Sequence, residues 1–333
     1  MNGFRRVFVA LLGFGMTLAA GTAYAAALTP VHFTLDWIPS GRHIGWYVAL
    51  DKGFYEQEGL AVTISRGFGV EDGIRRLVAG DTDIDFNDIP SAILARARNG
   101  APVKAVAVIY AKHPAAIFTL KKYHIVTPKD LEGKTLAESA GSVNLVLFPA
   151  FAKVAGIDAK KVHWAIVAPD AKMQVLLAGK VQGTLFYSMQ LPLMEKATAS
   201  LGGVNMMQFG DYMKLYSNGI LVTDSYLTKN PDVVRRFIRA SLKGWAYAFA
   251  HLDEAVDIMM KHQPLGDPKV ARAEALIVKN LMASPDSKTH GFGYMDPARM
   301  RETRDLVLRL FDVDKKVPLK DVYSDAYLPP PPR

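Results

Sequence analysis

Two hydrophobic periods alternate along this chain, and the switches between them mark out its elements. Short runs rich in β-branched and aromatic residues predict strands at Val31–Trp37, Ala61–Arg66, Ile84–Asn87, Val103–Tyr110 and Ala115–Leu120. Further runs do so at Thr135–Glu138, Val162–Val167, Val181–Tyr187 and Val204–Phe209. The intervening segments space their apolar residues three and four apart, as Ile74, Leu77 and Val78 do within Val70–Ala79, and predict helices. Another is expected over His43–Lys52, stopped by Gly53, and a third over Pro90–Arg98, opened by its proline. Tyr216–Leu227 is strand-like, and beyond Asn230-Pro231-Asp232 the pattern turns helical. There Val234, Phe237, Ile238, Ser241, Leu242, Trp245, Phe249 and Leu252 form one face. Alternation of this kind predicts an α/β fold with mixed sheets flanked by helices, and a helical C-terminal part.

An internal echo divides the chain. Leu77-Val78-Ala79-Gly80-Asp81-Thr82-Asp83 precedes the strand at Ile84, and Leu176-Leu177-Ala178-Gly179-Lys180-Val181-Gln182 precedes the strand at Gly183. In both, a helix ends at Gly and a short polar turn returns the chain as a strand, because Gly takes the left-handed cap cheaply. The echo predicts two similar lobes. Residues 26–120 form the first part of lobe one and 121–215 form lobe two. Residues 216–333 make the return crossing and the C-terminal helices that complete lobe one. Two crossings create a hinge around a cleft.

The N-terminus departs from this rhythm. Arg5 and Arg6 precede an apolar stretch, Val7–Ala20, and then Ala23-Tyr24-Ala25. That order predicts a secretory signal peptide over residues 1–25; the apolar run is shorter than the roughly 20 residues of a spanning helix. The expected location is the periplasm, without a lipid anchor, since the chain of 333 residues contains no Cys. The missing thiol also excludes disulfides, thiolate metal sites and a cysteine nucleophile. Half of the residues are hydrophobic, ample for packed cores, and the net charge of +8 is spread along the chain rather than clustered, so no nucleic-acid partner is expected. The His residues lack metal-ligand spacing and no nucleophile–base motif occurs, so neither a metal, a cofactor nor a catalytic residue is expected.

Leu35-Asp36-Trp37-Ile38-Pro39, His43-Ile44-Gly45-Trp46-Tyr47-Val48-Ala49, Lys52-Gly53-Phe54-Tyr55 and Glu58-Gly59-Leu60 resemble the opening of solute-binding proteins of ABC importers. The resembling group binds thiamine pyrimidine precursors, riboflavin, alkanesulfonates, taurine and nitrate. The likeness continues through Asp130-Leu131-Glu132-Gly133-Lys134 and Ala178-Gly179-Lys180-Val181 to Tyr327-Leu328-Pro329. It implies a two-lobed type II periplasmic-binding fold, a small planar, pyrimidine-like ligand, and an ABC permease of the inner membrane as partner. Sulfonate, nitrate or an aromatic carboxylate are the alternative ligands. A monomer is the simplest form for such a receptor, and a sensor role is equally compatible with the sequence. A pyrimidine-precursor synthase of the wider group uses pyridoxal phosphate and a Cys-rich segment; the absence of Cys disfavours an enzyme of that kind.

Ligands of open α/β sheets sit beyond the carboxyl ends of strands. That rule selects Trp37 as a stacking surface, with a core anchor as the plainer alternative. It also selects His43 at the next helix start, and Asn87 and Asp88 at the end of a strand; surface, turn or cap roles are the alternatives. In lobe two, Ser139, Gly141 and Ser142 lie in a small-residue turn before a helix, which favours an anion unless the serines serve as N-caps. Tyr187 and Gln190 follow a strand, and Asn218 lies on the return crossing. The resembling family often carries a Glu near Gln190, where a carboxylate accepts from an amino-heterocycle.

Overall fold

The computed structural model describes Met1 and residues 27–140, 142–314 and 316–330. The signal-peptide segment, Gly141 and the end of the proline tail lie outside the described residues. The side chain of Val143 is likewise not described.

Among the described residues, ten strands form two five-stranded sheets. They are β1 (Thr29–Thr34), β2 (Leu60–Ser65), β3 (Ile84–Asp88), β4 (Val103–Val108), β5 (Ala115–Leu120), β6 (Thr135–Glu138), β7 (His163–Ile166), β8 (Gly183–Tyr187), β9 (Val204–Gln208) and β10 (Asn218–Thr223). The first sheet has the order β2-β1-β3-β10-β4, and the second β7-β6-β8-β5-β9. In the first, β1 runs parallel to β2 and β3, and β10 runs antiparallel to β3 and β4. In the second, β6 runs parallel to β7 and β8, and β5 runs antiparallel to β8 and β9. The sheets thus repeat one topology, and each receives its antiparallel strand from the segment that arrives from the other.

The sequence echo falls on equivalent places in this repeat. The helix Val70–Ala79 leads into β3 through Gly80 (φ 82°), and the helix Ala171–Leu177 leads into β8 through Gly179 (φ 69°). Three expectations change in detail. Ala115–Leu120, grouped with lobe one, lies within the second sheet, because its edges pair with β8 and β9. The first crossing is therefore residues 109–114. Tyr216–Leu227 splits into β10 and a helix, Asp224–Lys229, where Thr223 Oγ1 accepts from Tyr226 N and caps the new element. The first strand ends at Thr34, so Trp37 sits in the bend beyond it.

The two crossings are bonded to each other. Ile109 N and Tyr110 N donate to Asn218 O at 2.9 and 2.8 Å, and Ser217 N donates to Tyr110 O at 3.0 Å. The first sheet's core is aromatic: Phe33, Trp46, Phe86, Phe237 and Trp245 are wholly buried together. Helix Ile44–Asp51 crosses helix Pro231–Ala250 at Gly45, where the Trp245 ring takes the space a Cβ would fill, 2.1 Å away. The second sheet has its own clusters on its two faces, around Phe151 and Phe209 on one and Phe118 and Met194 on the other. Helix Pro297–Leu310 spans both halves, burying Met300 and Val307 on the first and placing Leu306 and Leu310 against the second.

Candidate functional site

A cleft of about 520 Å³ opens where the carboxyl ends of the parallel strands of both sheets face one another. Two larger grooves lie on outer helical faces, about 800 Å³ between Val70–Ala79 and Ile89–Asn99 and about 860 Å³ between Val143–Val154 and Pro297–Leu310. Of these three, only the cleft combines strand ends, aromatic rings and buried charge, the convergence expected of a ligand site.

The first wall grows from the bend after β1. Trp37 is 49% exposed there, held by Gly67 N donating to its carbonyl at 3.0 Å. Asp36 is buried beside it and accepts three hydrogen bonds: from Arg42 Nη2 at 3.1 Å and His43 Nε2 at 2.8 Å on Oδ1, and from Asn218 Nδ2 at 3.0 Å on Oδ2. Burial pushes the Asp36 carboxyl upward, but the Arg42 guanidinium and the His43 hydrogen bond outweigh it and hold the carboxyl below its ordinary range. His43 Nδ1 accepts from Ser40 N at 3.2 Å, so the ring proton resides on Nε2, the atom that meets Asp36. Burial, and after it Arg42, lowers the His43 pKa and keeps the ring neutral. Glu274 completes this wall; its Oε2 accepts from Arg42 N at 3.3 Å.

The second wall comes from the ends of β6 and β8 and two helix starts. Glu138 is wholly buried and its carboxylate accepts from Lys172 Nζ at 2.7 Å, Ser139 N at 2.7 Å and Asn144 Nδ2 at 3.3 Å. Lys172 Nζ also donates to Leu185 O at 2.7 Å and lies 4.2 Å from the Phe186 ring centroid. Phe186, Tyr187 and Gln190 continue the wall. Tyr187 stands edge-on to His113 of the first crossing, with centroids 6.3 Å apart, and burial raises its hydroxyl pKa.

Of the residues selected from sequence, Trp37, Tyr187, Gln190 and Asn218 line the cleft. The other described ones, His43, Asn87, Asp88, Ser139 and Ser142, are not part of its lining. His43 is wholly buried because a short 3₁₀ turn, Gly41–His43, precedes the helix; this rotation sends His43 inward and presents Arg42 to the cleft instead. Asn87 spends its amide on Val70 O at 3.0 Å and Asp85 Oδ2 at 2.8 Å. Asp88 is the N-cap of helix Ile89–Asn99, accepting from Ser91 N at 2.9 Å. Ser142 is likewise an N-cap, accepting from Asn144 N at 3.2 Å. Ser139 N is taken by Glu138, and the Ser139 hydroxyl is buried without a partner among the described residues. The expected anion-binding turn thus already holds a carboxylate of its own, and Gly141 lies outside the described residues. Asp36, Arg42, Asn144, Lys172 and Glu274 went unselected. Asp36 stood within the quoted opening motif and Arg42 next to His43, but Lys172 and Glu274 sit in amphipathic helices, where a charged residue ordinarily reads as solvent-facing.

With this geometry in hand, comparison with known proteins is decisive for the family. The family model described as NMT1/THI5 like matches residues 40–255, which include the second wall and Arg42, His43 and Asn218 of the first, but not Asp36, Trp37 or Glu274. The chain belongs to this family. It is 26% identical over 314 residues to the riboflavin-binding protein of Chloroflexus aurantiacus, covering 91% of this chain and 87% of that one. It is 26% identical to the formylaminopyrimidine-binding protein of Halalkalibacterium halodurans, covering 83% and 84%. A 4-amino-5-hydroxymethyl-2-methylpyrimidine phosphate synthase of Legionella pneumophila is 22% identical, covering 73% and 76%. Among solved structures, the periplasmic aliphatic sulphonate binding protein of Escherichia coli superposes with a TM-score of 0.67 at 17% identity, covering 88% of this chain and 91% of that one. The last likeness is one of fold, and it matches the two-lobed α/β periplasmic-binding architecture expected from the sequence. Among the described residues no helix is long and apolar enough to cross a membrane.

Proposed function

We propose that this protein is the solute-binding component of an ABC importer, capturing a small planar molecule between its two halves and delivering it to a membrane permease. One observation carries the reading. The cleft at the strand ends is bounded by an exposed indole, Trp37, on one wall and by Phe186 and Tyr187 on the other, with the wall cations already paired to carboxylates. A flat ring stacks on such surfaces without supplying charge. The bonded crossings at residues 109–110 and 217–218 provide the hinge on which the halves close. Relatives named for binding riboflavin and formylaminopyrimidine, both ring compounds, support the same class here. The N-terminal signal sequence supports export to the periplasm, and the receptor acts as a monomer in this reading. Capture needs no chemistry from the protein, only a difference in affinity between open and closed forms.

A thermal-shift screen of pyrimidines, flavins, sulfonates, nitrate and aromatic carboxylates tests this. A ligand at about 100 times its Kd stabilises the native state by about 2.7 kcal/mol, enough to identify the class. Calorimetry then measures affinity, and mass spectrometry checks that the bound compound returns unchanged. Stabilisation by inorganic anions alone, or chemical conversion of the compound, overturns the proposal.

A further inference from the structure

Asn144 is the second residue of helix Val143–Val154, lines the cleft and is 8% exposed. Its Nδ2 donates to Glu138 Oε2 at 3.3 Å. A carboxylate only accepts, so the amide orientation is fixed by chemistry, with Oδ1 on the other side. That carbonyl oxygen is buried and has no hydrogen-bond partner among the described residues. A buried acceptor left unpaired is costly, and a ligand that donates to it recovers the cost. The surrounding charges point the same way. Arg42 is bonded to Asp36 and Lys172 to Glu138, so each cation of the cleft is committed to a buried carboxylate. An incoming anion meets no uncommitted cation and stands close to Glu138.

We propose that Asn144 is a specificity-determining residue through which the site requires its ligand to be an uncharged ring carrying an N–H or O–H donor. The proposal rests on the planar-ligand reading above. It predicts selection against sulfonates, nitrate and carboxylates, which only accept.

Calorimetric titration with three probes tests it: an aminopyrimidine, the same ring with a dimethylamino group in place of the amino group, and ethanesulfonate, an anion with no N–H or O–H donor. Wild-type protein should prefer the amino ring over its dimethyl counterpart by about tenfold or more, the scale of one buried hydrogen bond. In Asn144→Leu, which keeps the bulk of the side chain and removes its acceptor, that preference should vanish. An equal preference in both proteins overturns the role of Asn144 and leaves the planar-ligand reading standing. Binding of ethanesulfonate with neither ring bound overturns both. The Asn144 side-chain carbonyl carbon, followed by NMR in wild-type protein, gives a check independent of any variant's folding. Its resonance should move when the amino ring binds, and a resonance that stays in place with the ring bound overturns the proposal.

Discussion

Asp85 offers a quantitative test that needs no ligand. It lies in the middle of the first sheet on β3, wholly buried beneath the first turn of helix Val70–Ala79. The approach is so close that a Cβ on Gly73 would stand 2.6 Å from Asp85 Oδ2. Oδ2 accepts from Asn87 Nδ2, but Oδ1 has no partner, and neither has the buried Oδ2 of Asp72 in that first turn. Burial pushes the Asp85 carboxyl up from 3.8 to about 7; the Asn87 hydrogen bond and Arg76 offset this only in part, and Asp36 and Asp72 add to it. An acid with a raised native pKa binds its proton more tightly when folded. Its contribution to stability is therefore retained below pH 3.8, falls as pH rises, and levels off above about 7. The linkage relation gives a cost of roughly 4 kcal/mol at pH 8 and roughly 1.6 kcal/mol at pH 5. Asp85→Asn is uncharged at every pH and nearly isosteric. Its stability relative to wild type should therefore rise by about 2–3 kcal/mol between pH 5 and pH 8. Urea unfolding of both proteins at the two pH values measures this, provided the m-values agree. Other titrating groups are common to both proteins and cancel in the difference. A difference independent of pH would refute the reasoning, because it would mean that Asp85 is ionised at no extra cost in the folded chain.

Other consequences follow from the same contacts. Trp37→Ala should weaken binding of the ring ligand by about 1–3 kcal/mol in calorimetry while leaving the melting temperature of the free protein nearly unchanged, since half of the indole is exposed. Gly45→Ala places a methyl group against the Trp245 ring and should destabilise the protein by about 1–3 kcal/mol in urea unfolding; a neutral result would show that the two helices separate freely. Burial lowers the His113 pKa to about 4, so its neutral ring supports the fold above the ordinary histidine value of 6.5, and that support is lost as pH falls from 6.5 towards 4. NMR titration should find this imidazole neutral at pH 5.5, and a midpoint near 6.5 would contradict its burial at the crossing.

The α/β alternation was legible because period-two and period-3.6 runs seldom overlap in this chain, and Val70–Ala79, Ala115–Leu120 and Thr135–Glu138 emerge with the bounds expected of them. The echo at Gly80 and Gly179 was legible because both positions demand positive φ. Strand partnership was not. Ala115–Leu120 follows the first lobe in sequence, and only pairing with β8 and β9 assigns it to the second sheet. In the site, strand ends led to Trp37, Tyr187 and Gln190 and the return crossing led to Asn218, because chain direction alone places residues near a cleft. Which of two neighbours faces inward depends on a local turn. The 3₁₀ turn at Gly41–His43 turns the expected His43 inward and presents Arg42 to the cleft, and nothing in their spacing signals it. Buried charge was hidden for a similar reason: Lys172 and Glu138 are 34 positions apart and become a pair only in space.

The crystal structure of the protein with a stabilising ring compound tests the central claim most directly. The ring should lie between the two walls, in contact with Trp37 on one side and with Phe186 or Tyr187 on the other. A ring seated instead in the groove between helices Val143–Val154 and Pro297–Leu310, with the cleft unchanged, would contradict it.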